Sequence, residues 1–290
     1  MQNENISTAV TPRIYYHLGT GKTGTTFLQY RVFPHFKGIH YVQRTSFKKA
    51  PRLIRKGKYA SYLLSREYDQ QLEDRVKTFS KEFPDTNAII VFRRHDSYIA
   101  SQYRRFVKNG YTGAFKTFID LENDNGYFKK KDLNYNRQIG LLEQHFTQPP
   151  LVLIYEDLRK NPKEFVRELA SLLNATVDVS QIDFSNKHSS YSEKQLKAMK
   201  AVGKYINMRK RRIFKNEILH FLWRLWLGSI RYTILFIARF IPQRFFSKEP
   251  LIDPKELEEI KNYFSKDWEE CKAYSKMSKE RLAAASVSQL

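Results

Sequence analysis

Residues 19–26 read GTGKTGTT and lie between a short β-like run at residues 13–18 and a stretch with helical character at residues 25–33. Glycines at this place let the backbone turn its N–H groups toward one anion, and Lys22 adds a mobile positive charge. The two threonine hydroxyls at the end of the stretch add further donors. A Gly-rich turn with a lysine inside it, between a strand and a helix, predicts a phosphate-binding loop.

The rest of the chain alternates apolar runs with helical patterns, which implies βαβ units and a parallel sheet. The predicted strands are residues 38–42, 87–92 and 151–155, and the predicted helices are residues 59–83, 96–108, 134–146 and 162–173. Residues 110–133 are rich in Gly, Asn and Lys and are expected to loop over the surface. Beyond about Asn174 the strand pattern stops, and residues 192–278 read as helical. We therefore expect the α/β class, with a P-loop-like parallel β-sheet flanked by helices and an all-helical C-terminal extension.

Three segments are expected along the chain. Residues 1–12 form a disordered N-terminus, residues 13–200 form the ligand-binding core, and residues 201–290 form the helical extension. The N-terminus is polar and has no basic segment followed by an apolar one, so we expect no signal peptide and a cytoplasmic location.

The amino-acid composition excludes several classes of protein and indicates the charge of the binding partner. Among 290 residues, 41% are hydrophobic and 28% are charged, which is globular rather than disordered or collagen-like. The single cysteine, Cys271, excludes an intramolecular disulfide and a cysteine-based zinc site. With 51 Lys and Arg against 30 Asp and Glu, the net charge of +21 favours an anionic partner: nucleotide, nucleic acid, acidic glycan or anionic lipid.

Residues 218–241 read ILHFLWRLWLGSIRYTILFIARFI, long enough to span a bilayer but interrupted by Arg224, Arg231 and Arg239. At 100° per residue these arginines and His220 fall on one side of a helix. This amphipathic pattern favours a helix lying in a membrane interface, in peripheral contact with anionic lipid at the inner face of the membrane. The alternative is a buried helix, or two joined at Gly228, packed on the main domain.

The loop departs from the nucleoside-triphosphatase pattern. A Walker A loop has a glycine five residues before the Gly-Lys pair, and here that position is Tyr16. A P-loop kinase using ATP and Mg²⁺ remains the alternative function, because Glu156 and Asp157 follow a predicted strand. A non-enzymatic binder that uses charge alone is the third class, but charge alone needs no Gly/Thr-rich turn, and we expect no nucleic-acid partner.

Residues 17–29 (HLGTGKTGTTFLQ) resemble the 5′-phosphosulfate loop of sulfotransferases that use 3′-phosphoadenosine 5′-phosphosulfate (PAPS). That family usually has proline before the lysine, where this chain has Gly21. The departure loosens the turn but keeps every donor. The resemblance implies that six residues hold the donor's 5′ end: Gly21, Lys22, Thr23, Gly24, Thr25 and Thr26.

Residues 93–103 (RRHDSYIASQY) are similar to the same family's 3′-phosphate motif. Arg93 stands at the expected strand end and Ser101 on the following helix, which suits a phosphate because a guanidinium binds it with two hydrogen bonds. Arg94 and His95 depart from the family's usual residues. The resemblance covers about residues 13–200.

The resemblance implies sulfuryl transfer from PAPS to a hydroxyl of a carbohydrate or lipid-linked glycan, without a metal. Lys22 would neutralise charge on the bridging oxygen and the leaving phosphate. The acceptor needs a general base. Glu67 is the first candidate, because its surroundings resemble a Ser-x-Glu seen in some bacterial members, and His40 is the second, with His35 and His17 behind them.

Overall fold

The computed structural model describes residues 11–185, 191–209 and 214–287, with side chains to residue 285. Its centre is a five-stranded parallel sheet with strand order β2-β3-β1-β4-β5. The strands are β1 Arg13–His17, β2 His40–Val42, β3 Ser61–Ser65, β4 Thr86–Phe92 and β5 Leu151–Ile154. The predicted α/β class with a parallel sheet is confirmed.

Helices occur throughout the described ranges. They are α1 Thr25–Phe27, α2 Ala50–Arg55, α3 Leu72–Ser80, α4 His95–Lys108, α5 Lys130–Leu133, α6 Tyr135–His145, α7 Tyr155–Lys160, α8 Pro162–Leu172, α9 Glu193–Gly203, α10 Glu217–Ile237, α11 Pro254–Tyr263 and α12 Ser265–Val287. The first continues as a π-helical turn, Leu28–Val32, and a 3-10 turn, Phe33–His35. None of the helices within the described ranges combines the length and apolar character needed to cross a bilayer.

The strand register places the carboxyl ends of the central strands together. His17 at the end of β1 pairs with Ser65 on β3 and with Ile89 on β4. The strand β4 is almost entirely buried, as expected for a parallel strand covered on both faces. Loops that leave β1, β3 and β4 therefore start at the same edge of the sheet.

The chain divides into two compact units. Among the described residues, the sheet unit comprises residues 11–94, 134–185 and 264–287, and the helical unit comprises residues 95–133, 191–209 and 214–263. Within the sheet unit, α12 packs on β5, where the Ser275 hydroxyl donates to the Val152 carbonyl over 2.8 Å. The C-terminal part of the chain thus contributes to covering the sheet.

The prediction of one helix over residues 59–83 is wrong. The segment contains β3, Ser61–Ser65, and a later helix, Leu72–Ser80. Tyr62, Leu63 and Leu64 are all fully buried, so both faces of this short strand are apolar. A strand buried on both faces lacks the alternation that separates it from a helix, and the error follows from that.

The prediction of a surface loop over residues 110–133 is also wrong in part. Phe115, Phe118 and Phe128 are buried, and Tyr103 packs edge-on against the first two of them. These rings form part of the interior of the helical unit. The Gly, Asn and Lys residues of this segment masked its aromatic residues in the sequence.

Candidate active site at the carboxyl edge of the sheet

The loop at residues 19–26 is held by the backbones of both neighbouring strands. On the β4 side, the Thr20 N–H donates to the Val91 carbonyl over 3.1 Å, and the Val91 N–H donates to the Gly19 carbonyl over 2.7 Å. On the β3 side, the Tyr68 N–H donates to the Leu18 carbonyl over 3.0 Å. The start of the loop is therefore fixed before any ligand binds.

Two threonine side chains close the loop on itself. The hydroxyls of Thr23 and Thr25 are buried and donate to the Thr20 carbonyl over 2.6 Å and 2.9 Å. These two hydrogen bonds stabilise the turn. A hydrogen bond from the Thr25 hydroxyl to a ligand would therefore have to replace the one to the Thr20 carbonyl. Thr26, by contrast, is exposed and accessible.

The turn requires glycine at residue 24. Gly24 has a φ of 81°, and a Cβ there would lie 2.6 Å from a methyl carbon of Leu158. Lys22 also has a positive φ, 67°, and its side chain is exposed. A left-handed backbone at both positions turns the chain sharply within the loop.

Asp69 lies against the loop, and the sequence did not reveal this contact. Its carboxylate accepts a hydrogen bond from the Gly21 N–H over 2.9 Å. A Cβ on Gly21 would lie 3.0 and 3.1 Å from the two carboxylate oxygens, which is tighter than ordinary contact. Gly21 thus supplies both an N–H donor and the space that the Asp69 carboxylate occupies. No spacing signal identified Asp69, because it lay inside the segment predicted as a helix.

Arg93 lies against the same loop. It follows the end of β4, and its Nη1 donates to the Lys22 carbonyl over 3.2 Å. Its guanidinium lies 4.8 Å from the centroid of the Tyr155 ring, and the Tyr135 hydroxyl donates to the Arg93 carbonyl over 2.5 Å. Burial lowers the pKa of Arg93 from its usual value. The structure therefore brings together Lys22 and Arg93, two residues 71 positions apart in the chain.

The two leading base candidates occupy different parts of the sheet. Glu67 is half-buried two residues beyond β3, and a Cβ on Gly19 would lie 3.3 Å from its Cα. His40 is the first residue of the edge strand β2 and pairs with Tyr62, three residues before β3 ends. Its ring stacks on Tyr59 at 3.9 Å. Glu67 is thus at the loop, whereas His40 lies toward the opposite edge, which argues against His40 as the base.

His17 is sealed inside the sheet unit. Its Nδ1 lies 2.7 Å from the Ser65 hydroxyl, which also accepts a hydrogen bond from the Gln29 amide over 3.0 Å. Burial lowers the pKa of His17 to about 3. Its Nε2 has no hydrogen-bond partner among the residues that the structure describes. His17 is a neutral, buried structural residue and is not positioned as a base.

Ser101 lies on α4 in the helical unit and is half-buried. Its pairing with Arg93 on a 3′-phosphate stays a prediction. The acids considered for a kinase have protein partners: Glu156 accepts from the Arg94 N–H over 3.1 Å, and Asp157 lies 3.7 Å from the Lys279 ammonium. Within the described ranges, no group of three or more His, Cys, Asp or Glu is placed to hold a metal ion.

No protein-family model matches the chain, and no curated protein matches it. Nine chains among solved structures do match, and one of them is the crystal structure of a sulfotransferase from Alicyclobacillus acidocaldarius. It shares 16% sequence identity with this chain, covers 66% of this chain and 92% of its own, and has a TM-score of 0.47. A likeness of this strength assigns no substrate and no residue role.

Proposed function

We propose that this chain is a sulfotransferase that moves a sulfuryl group from PAPS to a hydroxyl of a carbohydrate or lipid-linked glycan. The observation that carries the proposal is the 3.2 Å hydrogen bond from Arg93 to the Lys22 carbonyl. It places a guanidinium directly against a phosphate-type loop. A guanidinium there, beside the mobile Lys22, suits a donor that carries two phosphate groups, because Arg binds phosphate with two parallel hydrogen bonds.

The residues present fit such a donor. The exposed Lys22 and Thr26 side chains are accessible to a 5′-phosphosulfate, and the Gly21 N–H could bind it only in place of its hydrogen bond to Asp69. Arg93 would hold the 3′-phosphate, with Ser101 as the predicted second contact. The bound donor supplies an activated sulfuryl group, and the protein supplies positioning and charge.

The chemistry assigned to the chain is an in-line displacement at sulfur. The acceptor oxygen forms a bond to sulfur while the bond from sulfur to the bridging phosphate oxygen breaks. Lys22 neutralises the charge that develops on that bridging oxygen. Glu67 takes the proton of the acceptor hydroxyl, since it is the candidate base that lies next to the loop.

Calorimetry with adenosine 3′,5′-bisphosphate, adenosine 5′-monophosphate and ATP tests which class of nucleotide the protein binds. We expect adenosine 3′,5′-bisphosphate to bind without Mg²⁺ and at least about tenfold more tightly than adenosine 5′-monophosphate. Arg93→Ala removes charge-assisted hydrogen bonds and should weaken bisphosphate binding about ten- to a hundredfold. Monophosphate binding should weaken by a smaller factor, because it loses only the support that the Arg93 side chain gives to the Lys22 carbonyl. The neighbouring Arg94→Ala is the matched control and should bind like the wild type.

Two results would overturn the proposal. One is an absence of bisphosphate binding by the folded wild-type protein. The other is Mg²⁺-dependent binding of ATP that is tighter than bisphosphate binding, which would favour the P-loop kinase. If the bisphosphate binds, labelled PAPS offered with a panel of glycans and glycolipids identifies the acceptor, and Glu67→Gln tests the base.

A further inference from the structure

The helix α10 exposes an apolar surface that the described residues of the chain leave uncovered. Nine of its large hydrophobic side chains are at least half exposed. Phe221, Leu225, Trp226 and Phe236 are 64%, 55%, 59% and 63% exposed. The structure describes every residue of this helix, and Leu235 is the only one of them that is buried. Monomeric soluble proteins rarely expose so large a continuous apolar surface without a binding role.

The opposite side of α10 is anchored within the helical unit. Leu235 packs with Met199 and Met208, and its carbonyl accepts from the Gln195 amide over 2.8 Å. Arg231 is half-buried on this side, not exposed as the sequence pattern suggested. From Leu225 to the end of the helix at Ile237, the exposed residues are therefore apolar or aromatic, apart from Ser229 and Thr233. Because α10 is held from one side, its apolar side remains available.

The charge around this surface favours an anionic lipid membrane over a second copy of the chain as its binding partner. Between residues 194 and 248 the sequence has fourteen Lys and Arg residues and one acidic residue, Glu217. A second copy of the chain would bring two strongly cationic segments together, which is repulsive. An anionic lipid surface complements both the charge and the apolar side chains, and Trp and Tyr such as Trp226 and Tyr232 suit the boundary between headgroups and acyl chains.

We propose that the exposed side of α10 inserts into the boundary between headgroups and acyl chains of an anionic membrane. The helix, about 32 Å long, lies parallel to the surface. Phe221, Leu225, Trp226 and Phe236 enter the lipid, while exposed arginines such as Arg239 and Arg244 contact lipid phosphates. This inference stands on α10 and the basic residues around it, and it does not depend on the identity of the nucleotide.

Vesicle flotation of the full chain tests the proposal. We expect binding to phosphatidylcholine vesicles with about 30% phosphatidylglycerol at about 0.15 M salt, and at least about tenfold weaker binding to pure phosphatidylcholine. The variant Phe221→Ser/Leu225→Ser/Phe236→Ser should partition at least about tenfold less into the anionic vesicles. Its matched control is Tyr263→Ser/Met277→Ser, which removes two side chains about equally exposed outside α10, at 52% and 50%. Circular dichroism and a cooperative urea-unfolding transition verify that each variant is folded.

A fluorescence measurement reports insertion directly. Lipids brominated on the acyl chains should quench part of the wild-type tryptophan emission, and Trp226→Phe should remove the quenched part. No binding to anionic vesicles by the wild type, or equal binding by the triple variant, would overturn the proposal. A dimer that the triple variant abolishes, without vesicle binding, would assign the surface to a second copy instead. None of these results affects the nucleotide proposal, which has its own readout.

Discussion

The phosphate-type loop and α10 are the two most strongly patterned segments of the sequence, and the structure treats them in opposite ways. The loop at residues 19–26 is satisfied inside the protein, by the Thr20 carbonyl, the β4 backbone and the Asp69 carboxylate. The helix α10 keeps most of its apolar side chains in solvent. The conformation of the loop is therefore fixed by contacts within the protein, whereas the apolar side of α10 is left to solvent. Substitutions in the two segments should therefore affect different properties.

The largest effect is expected at Lys22. Lys22→Ala removes the mobile cation at the loop and should lower turnover with PAPS about 10²–10³-fold, because charge stabilisation in the transition state is lost. Initial rates with labelled donor and a responsive acceptor measure it. The exposed Lys48→Ala is the control and should keep wild-type rates. Wild-type turnover by Lys22→Ala would contradict a catalytic role for the lysine of the loop.

The next effect concerns stability and pH. Burial lowers the pKa of His17 to about 3, and its contacts Ser65, Gln29 and Phe33 carry no charge. Below pH 6.5 the His17 ring binds a proton in the unfolded state but stays neutral in the folded state. The free energy of unfolding therefore falls as the pH falls. His17 alone should reduce the free energy of unfolding by about 2 kcal/mol between pH 7 and pH 5.

Urea unfolding at the two pH values measures this loss. The variant His17→Asn should show a pH dependence weaker by that amount, whatever its absolute stability. NMR signals of the His17 ring should remain those of neutral imidazole at pH 5. A ring that titrates near pH 6 in the folded protein would show that the site is not sealed.

A smaller effect is expected at Asp69. Asp69→Ala leaves the Gly21 N–H without its partner and should cost about 1–2 kcal/mol of stability, with weaker bisphosphate binding because the loop is less ordered. Asp69→Asn keeps an acceptor oxygen and should lose less. Equal behaviour of the alanine and asparagine variants would mean that the hydrogen bond does not hold the loop.

The smallest effect on stability is expected on the exposed side of α10. Leu225→Ser should change the free energy of unfolding by less than about 0.5 kcal/mol, because this side chain is already in solvent. Leu235→Ala, on the buried side of the same helix, should cost about 2–3 kcal/mol. Equal costs in urea unfolding would contradict the difference between the two sides.

Much of the fold followed from short-range patterns. The strands at residues 87–92 and 151–155 are confirmed as β4 and β5, and the helix at residues 96–108 as α4. The strand β3 was missed because burial on both faces removes alternation. That one error also hid Asp69, since only a strand ending at Ser65 brings residue 69 to the edge where the loop lies.

The sequence by itself determined the first strand, the Gly/Thr-rich turn and the lysine within it. The positive φ of Gly24 and the hydrogen bonds from the Thr23 and Thr25 hydroxyls to the Thr20 carbonyl involve only residues close together in the chain. Only the tertiary structure decided that Asp69 and Arg93, 48 and 71 residues from their loop partners, reach the same turn. It also decided which side of α10 is covered. Such contacts depend on the register of parallel strands and on helix packing, which link residues that no local pattern connects.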